Sequence, residues 1–239
     1  MKSLAKLIAG ELKRLIKYNI LPVSLVTAII WIVLFLFLSK EEAFELAPIL
    51  IFVDVSAMSI LLLGASHHLE KQEGTIRTMM VMPISLWQII TAKNVSSMIL
   101  ALESVLVTSV ALYLIHGVTF NYILLLIFVA IAGAAHAAIG FALSLRSRDF
   151  TAMLGKLVGY MFIFTIPSIL FSIGVIDEKY EWLLMLSPSH SASHLITSAL
   201  TGEFKLVMTI AACAYLAVLS GVLFKFEVHP RFKDNAARG

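Results

Sequence analysis

Six runs of about twenty apolar residues dominate the sequence, and short polar segments separate them. A helix of roughly 20 residues crosses the apolar core of a bilayer and satisfies its own backbone hydrogen bonds there. The pattern therefore predicts an all-α integral membrane protein with a single domain over residues 1–239. Its six predicted spans are Ile20–Leu38, Leu46–Ser66, Val95–Ile115, Tyr122–Leu145, Met153–Ile176 and Leu206–Phe224.

The segment before the first span, residues 1–18, has a different pattern. Its apolar residues recur every three or four positions, at Leu4, Leu7, Ile8, Leu12, Leu15 and Ile16. Its basic residues, Lys2, Lys6, Lys13, Arg14 and Lys17, occupy the rest of the helical surface. This arrangement is typical of an amphipathic helix that lies in the headgroup layer of a membrane.

Composition agrees with a protein that lies in lipid, because 60% of the residues are hydrophobic and 14% are charged. An ordinary globular domain has about 25% charged residues. The basic residues are spread over short loops and form no patch for nucleic acid. Of the 18 Lys and Arg, 15 fall in residues 1–18, the second and fourth loops and the tail 225–239. By the positive-inside rule we expect both termini in the cytoplasm of a prokaryote, with the chain in the plasma membrane.

The fifth loop, Asp177–Lys205, is too long and too apolar for a simple connection. It contains Trp182, Leu183, Leu184 and Leu186, which are unfavourable in water as an exposed group. Ser187 and Pro188 favour a break between two helical stretches. We therefore expect a re-entrant external hairpin of two short helices, Tyr180–Leu186 and Ser191–Leu200, before the last span.

The second loop, His67–Asn94, carries the most informative motif. Gly74 and Thr75 favour a bend followed by a helix start. Ile76, Met79, Met80 and Pro83 then recur on one side of a short helix. Because methionine is common on adaptable contact surfaces, we predict that this side faces a partner.

This loop resembles the cytoplasmic loop of type-2 ATP-binding-cassette exporter permeases, a family of bacterial drug and natural-product exporters. Glu73, Gly74, Thr75 and Pro83 match the family's pattern, whereas Arg77 departs from it, since an acid is frequent there. The basic N-terminal helix, the six spans and the apolar hairpin are also similar to that family. The resemblance implies that the loop is a coupling helix that docks on an ATPase, with the contact residues Glu70, Glu73, Gly74, Thr75, Ile76, Arg77, Met79, Met80 and Pro83.

The resemblance also implies partners that supply the energy. The chain lacks the Gly-x-x-x-x-Gly-Lys-Ser/Thr motif that cradles ATP phosphates, so it is not expected to be an enzyme or to bind a cofactor. ATP and Mg would be bound by two copies of a cytoplasmic ATPase subunit. A second permease chain, identical or related, would complete a transport path through the bilayer.

Two acidic residues, Asp54 and Glu103, lie within the second and third spans. A charge at mid-bilayer costs roughly 2.5–3.5 kcal/mol on insertion scales, so both side chains should face protein or water. They either line a substrate path and attract a cationic substrate, or hold hydrogen bonds between helices. The histidines share neither a depth nor a ligand spacing, so no metal site is predicted.

These features predict the membrane subunit of an ATP-driven exporter that moves a drug-like, lipid-like or peptide substrate outward. A non-transporting membrane sensor or immunity protein on the same scaffold is the alternative, because the same loop serves both. An intramembrane hydrolase lacks support, since neither His-Glu-x-x-His nor Gly-x-Ser-Gly occurs. Transport by reconstituted vesicles separates the first two.

Overall fold

The computed structural model describes the backbone of residues 2–238 and the side chains of residues 4–76, 78–79 and 81–234. Within this part of the chain every regular element is a helix. The helices are α1 (Lys2–Lys17), α2 (Ile20–Phe37), α3 (Lys40–Gln72), α4 (Thr75–Met80), α5 (Leu86–His116), α6 (Tyr122–Leu145), α7 (Phe150–Ser172), α8 (Glu181–Leu184), α9 (Pro188–Thr201), α10 (Leu206–Val222) and α11 (His229–Arg238).

Six of the described helices are long and apolar enough to cross a membrane, which confirms the six predicted spans. They are α2, α3, α5, α6, α7 and the helix that begins with α10. The predicted second loop is too long, because α3 extends to Gln72 and α5 begins at Leu86. The loop that remains is residues 73–85.

Several helices begin at side chains that accept the first free backbone amides. The Ser39 hydroxyl accepts from the amide of Glu42, and the Glu42 side chain accepts from the amide of Ser39. Ser85 and Gln88 form the same reciprocal pair at the start of α5. The starts of α3 and α5 are therefore fixed by local sequence.

Helix α6 lies at the centre of the bundle, packed against α3, α5, α9 and α10. Small residues permit this packing. A methyl group on Gly140 would lie 2.6 Å from the backbone Cα of Ile60 on α3, and one on Gly133 would lie 3.2 Å from the Ala101 side chain on α5. The small-residue face around Gly133 is thus a helix-packing face.

The predicted helical hairpin breaks where the sequence indicates. Ser187 caps α9 through its hydroxyl, and Pro188 occupies the first turn of that helix. Helix α9 is largely buried among α3, α6 and α10, whereas α8 is shorter than predicted, at four residues. The second half of the hairpin is therefore part of the bundle interior.

Three membrane helices contain a widened π-helical turn, at Asp54–Met58, Met161–Thr165 and Leu223–Val228. The second comes directly before Pro167, whose ring clashes with the carbonyl four residues earlier. The fifth span is therefore distorted at this turn. The third leads directly into α11, so the segment predicted as a tail, 225–239, is helical as far as Arg238.

Large apolar side chains cover the outer faces of α2, α7 and α10. Phe37, Phe162 and Val218 are examples, with 83%, 66% and 63% of their surface exposed. Such faces are unfavourable in water and favourable against lipid tails. The exposed surface therefore agrees with the assignment of these helices as membrane spans.

Candidate functional site

The loop 73–85 joins α3 to α5 and contains α4. Gly74 precedes α4 with a left-handed φ of 69°, and an added Cβ there would meet no atom within 4 Å. Thr75, the first residue of α4, donates its hydroxyl to the carbonyl of Glu70 at 2.9 Å. The Gly-Thr pair therefore forms the bend and helix start that the sequence predicts.

The prediction that Ile76 and Met79 face a partner is wrong for these two side chains. Each is 6% exposed, and both belong to a buried cluster with Phe141 of α6 and Phe232 of α11. The periodicity marks an apolar face correctly. That face is covered by the protein itself, because α11 packs against α4.

The exposed surface of the loop consists of other residues. Val81 is 83% exposed and Met82 is 47% exposed, and Gly74, Thr78 and Pro83 are also exposed. The side chains of Arg77 and Met80 lie outside the described residues, although their backbone belongs to α4. The predicted contact residues that reach solvent thus include Glu73, Gly74 and Pro83.

Helix α11 supports this loop from behind. The Phe232 side chain is fully buried between the loop and α6. At the start of α11, the imidazole of His229 stacks on the Trp87 ring of α5, with 4.7 Å between ring centroids. Helix α11, which continues from the last span, therefore supports α4.

Glu70 was predicted as a contact residue for a partner, and this is wrong because its side chain is fully buried. Lys93 of α5 donates to both of its oxygens, at 2.5 and 2.6 Å. Arg14 lies 3.3 Å from Glu70, and Glu11 lies 3.4 Å from the Lys93 ammonium and also pairs with Arg14. We call these four residues the buried charge network.

The buried charge network contains two carboxylates and two cations, so its formal charges balance. Glu11 and Arg14 belong to α1, Glu70 to α3 and Lys93 to α5. Buried charges require such pairing, because an unpaired charge loses its hydration without compensation. The network therefore fixes α1 to the two helices that flank the loop 73–85.

A second, exposed contact joins α1 directly to the loop. The Tyr18 hydroxyl donates to Glu73 at 2.5 Å, and Lys17 lies 3.3 Å from the same carboxylate. Burial and the bond to Glu73 raise the pKa of Tyr18 to about 12. The same hydrogen bond, together with Lys17, lowers the pKa of Glu73. Glu73 thus helps to orient the loop relative to α1.

Asp54 and Glu103 differ in burial and in the helix that supplies their hydrogen-bond donor. Asp54 is 4% exposed, inside the subunit, and accepts a hydrogen bond from the Ser104 hydroxyl of α5. Glu103 is partly exposed and accepts from Ser24 of α2 at 3.3 Å. Because α3 begins at Lys40, Asp54 lies about 21 Å along this helix from its first residue.

The buried histidines pack against aromatic rings. His67 contacts Phe141 edge-on at 5.4 Å between ring centroids, and His68 contacts Phe150 at 6.2 Å. In the part of the chain that the structure describes, no three His, Cys, Asp or Glu residues are grouped so as to hold a metal ion.

Sequence reasoning missed Glu11 and Lys93 as structural partners and Val81, Met82 and Phe232 as parts of the loop region. One signal for Lys93 was available: a lysine near the start of an apolar helix needs an acidic partner when it is buried. Glu11 and Lys93 are 82 positions apart, however, so their pairing depends on the tertiary fold.

A search of curated proteins finds no match to this sequence. The family model described as "ABC-2 family transporter protein" matches residues 43–226, which include five of the six spans and the loop 73–85. The match covers most of the chain and agrees with the all-helical architecture and the number of spans. The chain is therefore a membrane protein of the ABC-2 transporter family.

Proposed function

We propose that this chain is the permease subunit of an ATP-driven exporter and that the loop 73–85 docks on a cytoplasmic ATPase. A permease of this family works with an ABC ATPase, and the present chain has no phosphate-binding glycine motif. The proposal rests on one observation: the loop is short, it contacts α1 and α11, and its exposed tip is apolar.

The bracing supports a mechanical role. The loop is attached to α1 through Tyr18 and Glu73, and it rests on α11 through Ile76 and Met79. The flanking helices α3 and α5 are joined to α1 by the buried charge network. A displacement of the docked tip therefore moves membrane helices as well as the loop, and ATP-driven closure of two ATPase subunits is the source of that displacement.

A second permease chain, a copy of this one or a relative, completes the proposed path. Support comes from α7, where Gly155 and Gly159 are four residues apart and an added Cβ on either would meet no atom within 4 Å. This small-xxx-small spacing on an exposed membrane helix favours close packing with another helix. The substrate, drug-like, lipid-like or peptide, would pass outward, and we propose that partly exposed Glu103 would meet it on this path.

The test is co-purification of the chain with its ATPase after Val81→Glu. Val81 is 83% exposed, so the substitution leaves the fold intact while it places a charge on the apolar tip. Removal of one well-packed apolar contact costs about 1.5–3 kcal/mol, a factor of roughly 10 to 150 in affinity. Phe204→Glu, an exposed apolar residue outside this loop, is the matched control.

We expect Val81→Glu to release the ATPase and to abolish ATP-dependent transport in reconstituted vesicles, whereas Phe204→Glu retains both. Retention of ATPase binding and transport by Val81→Glu would contradict the docking role of the tip. ATPase binding without transport of any substrate in the wild-type complex would favour the sensor function instead.

A further inference from the structure

Two small cavities lie inside the subunit, the first between α2, α3 and α5 and the second between α1, α3 and α5. The first is lined by Ser24, Asp54, Ser59, Ser97, Ser104 and apolar residues. The second is lined by Glu11, Ser66, Lys93, Ser96, Ser97 and apolar residues. Each has room for about one water molecule. Ser97 and Leu100 line both, so the cavities are neighbours.

The cavities contain polar atoms that the protein itself leaves unsatisfied. Ser59 and Ser97 are 4% and 3% exposed, and neither hydroxyl has a hydrogen-bond partner among the described residues. One carboxyl oxygen of Asp54, Oδ1, also has no partner there. Buried polar groups normally pair with protein or with ordered water. Three unsatisfied groups around one cavity therefore indicate a small, polar occupant.

The charges near Asp54 favour a positive occupant. Glu103 of α5 is the other titratable group that acts on Asp54, and it has the same sign of charge. The described ion pairs place no lysine or arginine against either carboxyl. Helix α6, which also packs on the Asp54–Met58 turn, contributes no side chain to the lining of either cavity. A buried carboxylate without a neighbouring cation favours a positively charged occupant.

The second cavity lies on the α1 side of the first. Its lining includes Glu11 and Lys93, which belong to the buried charge network beneath α1. Lys93 and Ser104 of α5 are 11 positions apart, or about 16 Å along the helix. Polar residues that line the cavities, among them Ser96 and Ser97, therefore occur at intervals between the α1 end and the middle of this helix.

We propose that Asp54 binds a proton that reaches it from the α1 end through water held in the two serine-lined cavities. In this step a hydronium ion in the first cavity gives one proton to Oδ1 of Asp54. The products are a water molecule and a neutral carboxyl group, and no other bond changes. This proton site is independent of the proposed export function, because it needs neither ATP nor an ATPase.

The fluorescence of Trp31 on α2 is the signal with which protonation of Asp54 can be followed. The Trp31 ring is partly buried, with its Nε1 atom enclosed, and it lies close enough to the Asp54 carboxyl that its fluorescence responds to the charge on that group. The chain has three tryptophans, and Trp87→Phe together with Trp182→Phe leaves Trp31 alone. This variant is reconstituted in vesicles, its orientation is established by protease access, and the pH is changed on one side at a time.

We expect Trp31 fluorescence to follow the pH on the α1 side and to lose this response in Asp54→Asn. Ser97→Val, which fills the shared wall of the cavities, should slow the response roughly tenfold, equivalent to about 1.4 kcal/mol of barrier. Ser109→Val is the matched control, because Ser109 is also buried on α5 without a partner but lines neither cavity.

Three results would overturn the proposal: a response to pH on the opposite side only, a response that persists in Asp54→Asn, or a response to Na⁺ at constant pH without any response to protons. If Asp54→Asn does not fold, the infrared band of a protonated carboxyl in the wild-type protein gives the answer. Its absence at every pH at which the fold is intact would also overturn the proposal.

Discussion

Replacement of Lys93 by methionine tests whether the buried charge network holds the fold together. Methionine has a similar length and no charge, so the change removes the ammonium with little loss of volume. Glu70 would lose both bonds at 2.5 and 2.6 Å, and Glu11 would lose its cation at 3.4 Å. The network would then carry two carboxylates and only Arg14.

The expected loss of stability can be calculated from the distances between the charges of the network. At about 2.6 Å and an effective dielectric constant of about 20, one ion pair is worth roughly 6 kcal/mol of Coulomb attraction. Desolvation of the two ions cancels part of this, and removal of one partner from a buried pair typically costs about 3–5 kcal/mol. We therefore expect Lys93→Met to lower the free energy of unfolding by about 3 kcal/mol, with Arg14 retaining part of the balance.

The assay is a double-mutant cycle measured by detergent-induced unfolding. Glu70→Gln should also be destabilising, because it leaves Lys93 with Glu11 alone at the longer distance. The double variant should be less destabilised than the sum of the two single variants, by about 1–3 kcal/mol, since neither partner is then left as an unpaired buried charge.

Lys179→Met provides the comparison with an exposed pair. Lys179 lies 3.4 Å from Asp177, and its side chain is 64% exposed. Such pairs contribute about 0–1 kcal/mol. If Lys93→Met costs no more than Lys179→Met, or if the effects of Lys93→Met and Glu70→Gln simply add, the reasoning about a coupled buried network is wrong.

Two further predictions concern helix packing and the attachment of α1. Gly140→Ala should lower the free energy of unfolding by about 1–3 kcal/mol, because the new methyl group would lie 2.6 Å from the Ile60 backbone; an unchanged unfolding midpoint would contradict this. Tyr18 should ionise near pH 12 in an absorbance titration compared with Tyr18→Phe, because its pKa is raised by burial and by Glu73. The stabilisation that the Tyr18–Glu73 hydrogen bond contributes is complete below about pH 10 and is lost as the pH rises through 12. Ionisation of Tyr18 near pH 10 would show that this contact does not form.

The spans and the hairpin break could be predicted because their signals are local. A run of apolar residues long enough to cross the bilayer has few alternatives to a membrane helix. Ser187 followed by Pro188 both caps a helix and excludes its continuation from the preceding segment. Neither inference requires knowledge of which helices are neighbours.

The orientation of α4 could not be predicted, because periodicity identifies an apolar face without its partner. Ile76 and Met79 are covered by α11, and the sequence of α11 is mostly polar apart from Phe232. A single buried aromatic residue in a basic segment gives a weak signal. The pairing of Glu11 with Lys93 was likewise unpredictable, since it depends on the packing of α1 against α5.

The buried charge network and the polar cavities meet at the same two residues. Glu11 and Lys93 hold α1 to the helices beside the loop 73–85, and they also line the cavity nearest to the α1 end. A movement of the loop 73–85 that separates α1 from α5 would therefore also change the entrance to the proposed proton path toward Asp54. Tyr18 and Glu73 attach α1 to the loop but line neither cavity. Loss of their contact should weaken that attachment without altering the rate at which Trp31 senses protons, whereas loss of Lys93 should alter both.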